Sequence, residues 1–228
     1  MIEVLIVNIN NSDYLNNGLI HYLNSILTKN ELYESLNFTN WKDTFKQRLA
    51  HAFVFKWISK QLGISTKNIQ LKRECKFGKP YYENNSVFFN ISHSQDKIAL
   101  IFSDYGEVGI DIEKVPKFNI FDELKNVFTL KEKEYLKHLK KKESSSESIR
   151  LWTEKEAYLK FLGKGITNGL TNFSVPIEQK RICLKYDYLV FEMLKYEDYW
   201  CTFCYNNNNK IEKKVHFVSC MSIFEWRN

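Results

Sequence analysis

The run Val108-Gly109-Ile110-Asp111-Ile112-Glu113 constrains this chain more than any other segment. Its alternation predicts a β-strand over Glu107–Glu113. With a side-chain period of two, Ile110 and Ile112 point to one face while Asp111 and Glu113 point to the other. Like charges side by side on one sheet face repel, and taking them out of water is costly. Two environments satisfy them: an exposed face where both sit in water, or a sheltered face with a cation between them. A hard divalent ion, which favours carboxylate oxygens, is the economical cation.

The chain around this strand is long enough, at 228 residues, to bury a large core as one domain or as two of about 110. Glycine (8) and proline (3) are scarce, which argues against long linkers and disordered tails. A first strand is expected at Ile2–Asn8 and a helical region at about Asp13–Leu27. A strong helix is expected across Asp43–Leu62, where Phe45, Leu49, Ala52, Phe53 and Trp57 recur at three and four residues. After a loop with Gly78-Lys79-Pro80, strands are expected at Val87–Ser92 and Lys97–Phe102. Beyond the acidic strand come helices at about Ile120–Phe128, Leu130–Leu139 and Ser148–Leu162, with Ser144-Ser145-Ser146 read as a loop. Strands at Arg181–Tyr186, Tyr188–Leu194, Asp198–Tyr205 and Lys214–Ile223 complete the chain, with Asn206–Asn209 as a turn. Helices followed by strands in both halves, 1–106 and 107–228, make the fold class α+β, built as two similar halves.

No apolar stretch approaches the roughly 20 residues that cross a bilayer. The first residues lack a basic region and carry Glu3, so a cytoplasmic chain without a signal peptide is expected. The five cysteines are odd in number and scattered, a pattern of reduced thiols. Cys201 and Cys204 have C-x-x-C spacing, but in a strand they face opposite ways and no second ligand pair lies at zinc-site distance. A net charge of +6 admits nucleic acid, an anionic cofactor or an acidic protein as partner. No recognised nucleic-acid motif accompanies it, and the aromatics read as core. The cluster Lys137, Lys140, Lys141 and Lys142 reads either as a solvated helix end complementing the helix dipole or as a docking patch.

Chemistry concentrates in Leu151–Leu162. Glu156 and Lys160 are one helical turn apart and share a face. A surface ion pair is the plain reading, but apolar residues surround this one, and Gly163-Lys164-Gly165 follows with backbone amides near another ammonium. Phosphate-loop spacing is absent. Glu156 added to Asp111 and Glu113 makes a three-carboxylate magnesium site with open positions, and Lys160 suits a phosphate oxygen, a set pointing to phosphoryl-type transfer. In Phe89-Asn90-Ile91-Ser92-His93-Ser94, Ser92 and His93 close a strand where they can meet a ligand. No suitably spaced Asp supports a hydrolase triad.

VGIDIEKV (108–115), WTEKEAYLK (152–160), FNISHS (89–94) and Gly78-Lys79-Pro80 occur together, and the chain from about Asp43 to Ser174 resembles the Sfp-type 4′-phosphopantetheinyl transferases in their order and spacing. The resemblance implies an enzyme that moves the phosphopantetheinyl arm of coenzyme A to a serine of an apo acyl or peptidyl carrier protein, releasing adenosine 3′,5′-bisphosphate. It implies a monomeric pseudo-dimer of two α/β halves with coenzyme A in the cleft between them, and no nucleic-acid or membrane partner. Carried over residue by residue, Asp111, Glu113 and Glu156 would hold Mg2+, with Mn2+ an alternative, and Glu156 would also be a general base. Lys160 and Ser92 would hold the pyrophosphate. His93 would meet the 3′-phosphate with Arg48, and Gly78, Lys79 and Pro80 would line the adenine pocket. One departure stands out: Glu31–Asn37 contains no Lys or Arg where many relatives are basic, which leaves the 3′-phosphate to Lys42, Lys46 and Arg48.

Overall fold

The computed structural model describes residues 1–227 except 74–77, 84–85, 164–169, 176–180, 184–187 and 208–210. Its elements, in chain order, are β1 (Ile2–Asn8), α1 (Asn17–Ile26), α2 (Lys29–Glu34), α3 (Trp41–Leu62), β2 (Phe88–Ser94), β3 (Lys97–Ser103), β4 (Val108–Lys114), α4 (Phe121–Leu124), α5 (Leu130–Lys137), α6 (Lys141–Phe161), β5 (Arg181–Cys183), β6 (Tyr188–Tyr196), β7 (Tyr199–Asn207) and β8 (Lys213–Ser219). They form two four-stranded sheets, ordered β2-β3-β1-β8 and β4-β7-β6-β5, in an α+β fold.

Burial explains the layering. In the first sheet Leu5, Val7, Leu100 and Phe102 face α3, whose Phe45, Leu49, Ala52, Phe53 and Trp57 are all buried at the expected spacing. Trp57 stacks on Phe102 with ring centroids 5.0 Å apart. The alternate residues Ile2, Val4, Ile6, Ala99 and Ile101 face the second sheet, where Ile110, Ile112, Cys201 and Phe203 meet them. On the far side of that sheet, Phe191 and Cys204 pack under Ala157 of α6. The two sheets thus lie face to face with a long helix covering each outer side, and period two divides the buried strand residues between the inter-sheet core and the helix-covered faces.

Local chemistry sets the element ends. Asn40 caps α3 by accepting the Lys42 amide at 3.0 Å, and Gly63 ends it with φ of 64°. The β2–β3 hairpin turns at Gln95, whose φ is 51°. A capping box formed by Thr129 and Glu132 starts α5.

Several expected boundaries are corrected. Ser144–Ser146 is not a loop but part of α6, which begins at Lys141. Serine competes with the helix backbone only while its hydroxyl lacks another partner. Here Ser145 donates to the Phe118 carbonyl and Ser146 accepts from Trp200. Three of the four clustered lysines consequently stand at the start of α6, where the helix dipole opposes them, so dipole complementarity does not explain the patch. The last expected strand stops at Ser219 and continues as a 3-10 turn over Cys220–Phe224. Asp13–Leu27 is a 3-10 turn followed by α1, and Ile120–Phe128 is likewise a short helix followed by a 3-10 turn. The expected turn at Asn206–Asn209 begins inside β7, and 208–209 and the end of the expected strand Arg181–Tyr186 lie outside the described residues. Strand β8, late in the sequence, joins the first sheet parallel to β1.

Candidate active site

The site lies where the two sheets meet. β2 and β4 are edge strands of different sheets and share no backbone ladder. An edge strand leaves N–H groups that need partners when covered. Three alternate side chains of β2 supply them: Asn90 Oδ1 accepts from Ile110 N at 2.9 Å, Ser92 Oγ from Ile112 N at 3.4 Å, and Ser94 Oγ from Lys114 N at 3.2 Å. The same two hydroxyls donate onward, Ser92 to Asp111 Oδ1 and Ser94 to Glu113 Oε2, each at 2.7 Å.

Helix α6 brings the other half of the site. Gly109 lies on the same face as Asp111 and Glu113, and a Cβ there would stand 2.0 Å from the Ala157 carbonyl oxygen and 2.7 Å from Phe161 N. Only glycine permits this approach. The contact lowers the helix onto the acidic strand and sets Lys160 Nζ 2.6 Å from Asp111 Oδ1 and 2.9 Å from Ser92 Oγ. The rest of α6 is fastened by charged side chains. Lys155, fully buried, pairs with Glu132 at 3.0 Å and donates to the carbonyls of Leu170 and Phe173, while Arg150 pairs with Glu154. Paired and hydrogen-bonded in this way, such ions are tolerated inside a protein.

Asp111 and Glu156 are 3% and 4% exposed and Glu113 is partly buried, so the strand pair Asp111 and Glu113 lies on a sheltered face and not an open one. Burial, then the Asp111 charge, pushes the Glu113 carboxyl up to about 7, against the opposing pull of Ser94, Lys160 and Trp152. Burial, then Asp111, pushes Glu156 up to about 7 as well, with Lys160 opposing and Glu113 adding. Asp111 Oδ2 and Glu156 Oε1 are buried without a hydrogen-bond partner. Among the described residues, no three His, Cys, Asp or Glu side chains are drawn together closely enough to form a ready-made metal site. The donor chemistry nonetheless fits a divalent cation, because an added positive charge relieves both the orphaned oxygens and the mutual repulsion of the carboxyls.

The remaining expected residues divide among three places. Gly78, Lys79 and Pro80 line a cavity of about 410 Å³ together with Phe88, Glu107 and the end of α6 at Phe161–Gly163. Lys79 donates to the Val108 carbonyl at 2.9 Å and pairs with Glu107, tying this loop to the start of β4. His93, next to Ser92, is exposed. Its imidazole pKa is lowered first by desolvation from nearby protein and then by Lys46, with Asp43 opposing and Lys160 adding. Lys46 also lines a polar cavity of about 640 Å³ with Lys42 and Lys114. Arg48 is not brought to His93. It donates to Ser35 Oγ at 2.8 Å and to Asn24 Oδ1 at 3.1 Å, because two residues along a helix turn the side chain to another face. Lys164 and Gly165, expected to offer amides and an ammonium, lie outside the described residues.

Reading the sequence for ligands passes over Asn90, Ser94 and Lys155. The first two carry a signal, since Asn90, Ser92 and Ser94 are three polar residues at period two beside buried Phe89. Nothing local marks Lys155 as the buried lysine and Lys160 as the one facing carboxylates. Cys201 and Cys204 pack in different cores, and burial raises both thiols.

Residues 107–204 match the 4′-phosphopantetheinyl transferase superfamily. The chain is 29% identical over 211 residues to 4′-phosphopantetheinyl transferase gsp of Aneurinibacillus migulanus, a match covering 90% of this chain and 86% of that protein. It is 31% identical over 143 residues to 4′-phosphopantetheinyl transferase Sfp of Bacillus subtilis (strain 168), covering 62% of each. With 4′-phosphopantetheinyl transferase AcpT of Escherichia coli (strain K12) the identity is 40% over 88 residues, 38% of this chain and 45% of that protein. The match spans less than two thirds of the length of these last two relatives.

Proposed function

We propose, from the match of residues 107–204 to the 4′-phosphopantetheinyl transferase superfamily and the 29% identity to such a transferase over 90% of the chain, that this protein belongs to that superfamily and transfers the phosphopantetheine arm of coenzyme A to a serine of an apo acyl or peptidyl carrier protein. The observation that carries the reading is the group Asp111, Glu113, Glu156 and Lys160, three carboxylates and one ammonium gathered from β4 and α6 at the seam between the sheets. Asp111, Glu113 and Glu156 would hold Mg2+ or Mn2+. When bound, that ion would offset charge on the pyrophosphate.

The other residues have assignable tasks. Lys160 and Ser92 bind pyrophosphate oxygens, as ammonium and hydroxyl donors already directed into the site. Gly78, Lys79 and Pro80 form the adenine side of the cleft. His93 and Lys46 hold the 3′-phosphate, a role supported by the nearness of the Lys46 ammonium to the His93 imidazole, whose pKa it lowers, and by the missing bases in Glu31–Asn37. Glu156 accepts the serine proton directly or through water. The serine oxygen bonds to the β-phosphorus, the bridging P–O bond breaks, and adenosine 3′,5′-bisphosphate leaves with that bond's electrons. Since the nucleophile comes from the partner, this chain aligns and neutralises. The exposed Lys137, Lys140, Lys141 and Lys142 favour encounter with an acidic carrier protein.

No helix among the described residues is long and apolar enough to cross a membrane. The test is mass spectrometry of an apo carrier protein incubated with coenzyme A, MgCl2 and this protein. A gain equal to the phosphopantetheine arm is expected. No gain on several apo carriers, with folded protein that binds coenzyme A, would reduce the chain to a binding relative.

A further inference from the structure

On the N-terminal side, apart from the carboxylates, Tyr14, Leu36, Phe38, Trp41 and Phe45 line a cavity of about 420 Å³ with Arg48. That volume is in the range of small-molecule pockets. Its rim is unusually apolar for a protein surface: Leu36, Trp41 and Phe38 are 64%, 53% and 42% exposed. Exposed apolar clusters of this kind mark binding surfaces.

Arg48 gives the pocket its chemical sense. The guanidinium is partly buried, and desolvation lowers its pKa. Both of its hydrogen bonds go to neutral oxygens, those of Ser35 and Asn24. Among the described residues no carboxylate pairs with it, although other cations of the region have one: Lys46 pairs with Asp43 and Arg73 with Glu34. The N–H groups on Nη2 have no partner among the described residues. A partly desolvated cation lacking a counter-charge is costly, and an arginine fork is shaped for a carboxylate. A second positive charge overlooks the mouth, with Lys42 Nζ 5.2 Å from the Tyr14 ring centroid and 5.9 Å from that of Trp41.

We propose that this pocket is a second ligand site, distinct from the transfer site, that takes a small amphiphilic carboxylate with its head on Arg48 and its apolar body against Trp41, Phe38 and Phe45. The proposal does not depend on the transferase reading. Octanoate and octan-1-ol, matched in chain length and differing in charge, are the probes. They are titrated into 15N-labelled full-length protein while the Trp41 indole N–H resonance is followed, assigned with Trp41→Phe. The expected result is a saturable shift, with octanoate binding at least tenfold tighter than the alcohol and its affinity unchanged by saturating coenzyme A. Arg48→Gln should abolish the preference, and Thr44→Trp, which fills the pocket, should abolish binding of both. Equal affinities, non-saturable shifts, or survival of binding in a folded Thr44→Trp variant would overturn the site. Displacement by coenzyme A would assign the pocket to the nucleotide and equally overturn the proposal.

Discussion

Lys160 Nζ lies 2.6 Å from Asp111 Oδ1, yet Glu156, one helical turn earlier, has a buried oxygen with no hydrogen-bond partner. One ammonium therefore serves three gathered carboxyls, and two of these hold their protons up to about 7. The imbalance is what the proposed divalent cation would relieve. It gives the first prediction a clear target.

Asp111→Asn removes the charge that Lys160 and Ser92 contact while keeping the side chain's shape. Carrier-protein modification should fall about 10²–10³-fold, the scale of lost charge stabilisation at a phosphoryl centre. Mass spectrometry of the carrier measures it, with circular dichroism confirming the fold. Unchanged turnover in magnesium would remove Asp111 from the site.

The acidic cluster also dictates a pH dependence for the metal-free protein. Folded Glu113 and Glu156 titrate near 7 against an ordinary value of 4.5. Between those values the folded state binds more protons than the unfolded chain. The cluster's stabilising contribution is therefore fully present below about 4.5 and is lost as pH rises through 7. Urea midpoints should show this loss in wild type and a flatter profile in Glu113→Gln/Glu156→Gln. Magnesium should restore stability above pH 7, with protons released on binding. Identical profiles for the two proteins would contradict the assignment.

Gly109→Ala should destabilise the fold by about 1–3 kcal/mol, because the new methyl meets helix backbone and not a yielding side chain. Transfer should fall with it as α6 lifts away from Asp111. Gly106→Ala, where a Cβ meets nothing within 4 Å, is the control and should stay within about 0.5 kcal/mol. Urea denaturation distinguishes the two.

Asn90→Ala leaves the Ile110 amide without its acceptor inside the seam between the sheets. A cost of about 1–3 kcal/mol is expected, the penalty of an unsatisfied buried donor. A neutral result in the urea midpoint would mean that the β2–β4 side-chain contacts do not hold the sheets together.

Lys46→Ala should raise the KM for coenzyme A about tenfold, or about 1.4 kcal/mol, with little change in kcat. The effect should vanish with 3′-dephospho-coenzyme A, which lacks the group Lys46 would hold. An equal penalty on both substrates would place Lys46 elsewhere in binding.

Much of this was legible locally. The alternation in 108–113 separates Ile110 and Ile112 from Asp111 and Glu113, and the structure separates them the same way, the isoleucines into the inter-sheet core. The helical spacing of Phe45 to Trp57 likewise marks the buried face of α3. Ser144–Ser146 has the composition of a loop but is helical because the Ser145 and Ser146 hydroxyls find partners at Phe118 and Trp200, far away in sequence.

Residue order alone dictates which residue types share a strand or helix face, since periods of 2 and 3.6 are properties of the local backbone. It also carried the family resemblance, through motifs that stay in order along the chain. Packing in three dimensions settled that β8 returns to β1, that Lys155 is buried while Lys160 meets Asp111, and that Arg48 bonds Ser35 and Asn24 while the Lys46 charge lowers the His93 pKa. Those outcomes depend on how elements rotate and pack against one another, and local period leaves rotation undetermined. Gly109 joins the two levels: one missing side chain allows α6 to settle on β4, and that contact brings Glu156 and Lys160 to the acidic strand.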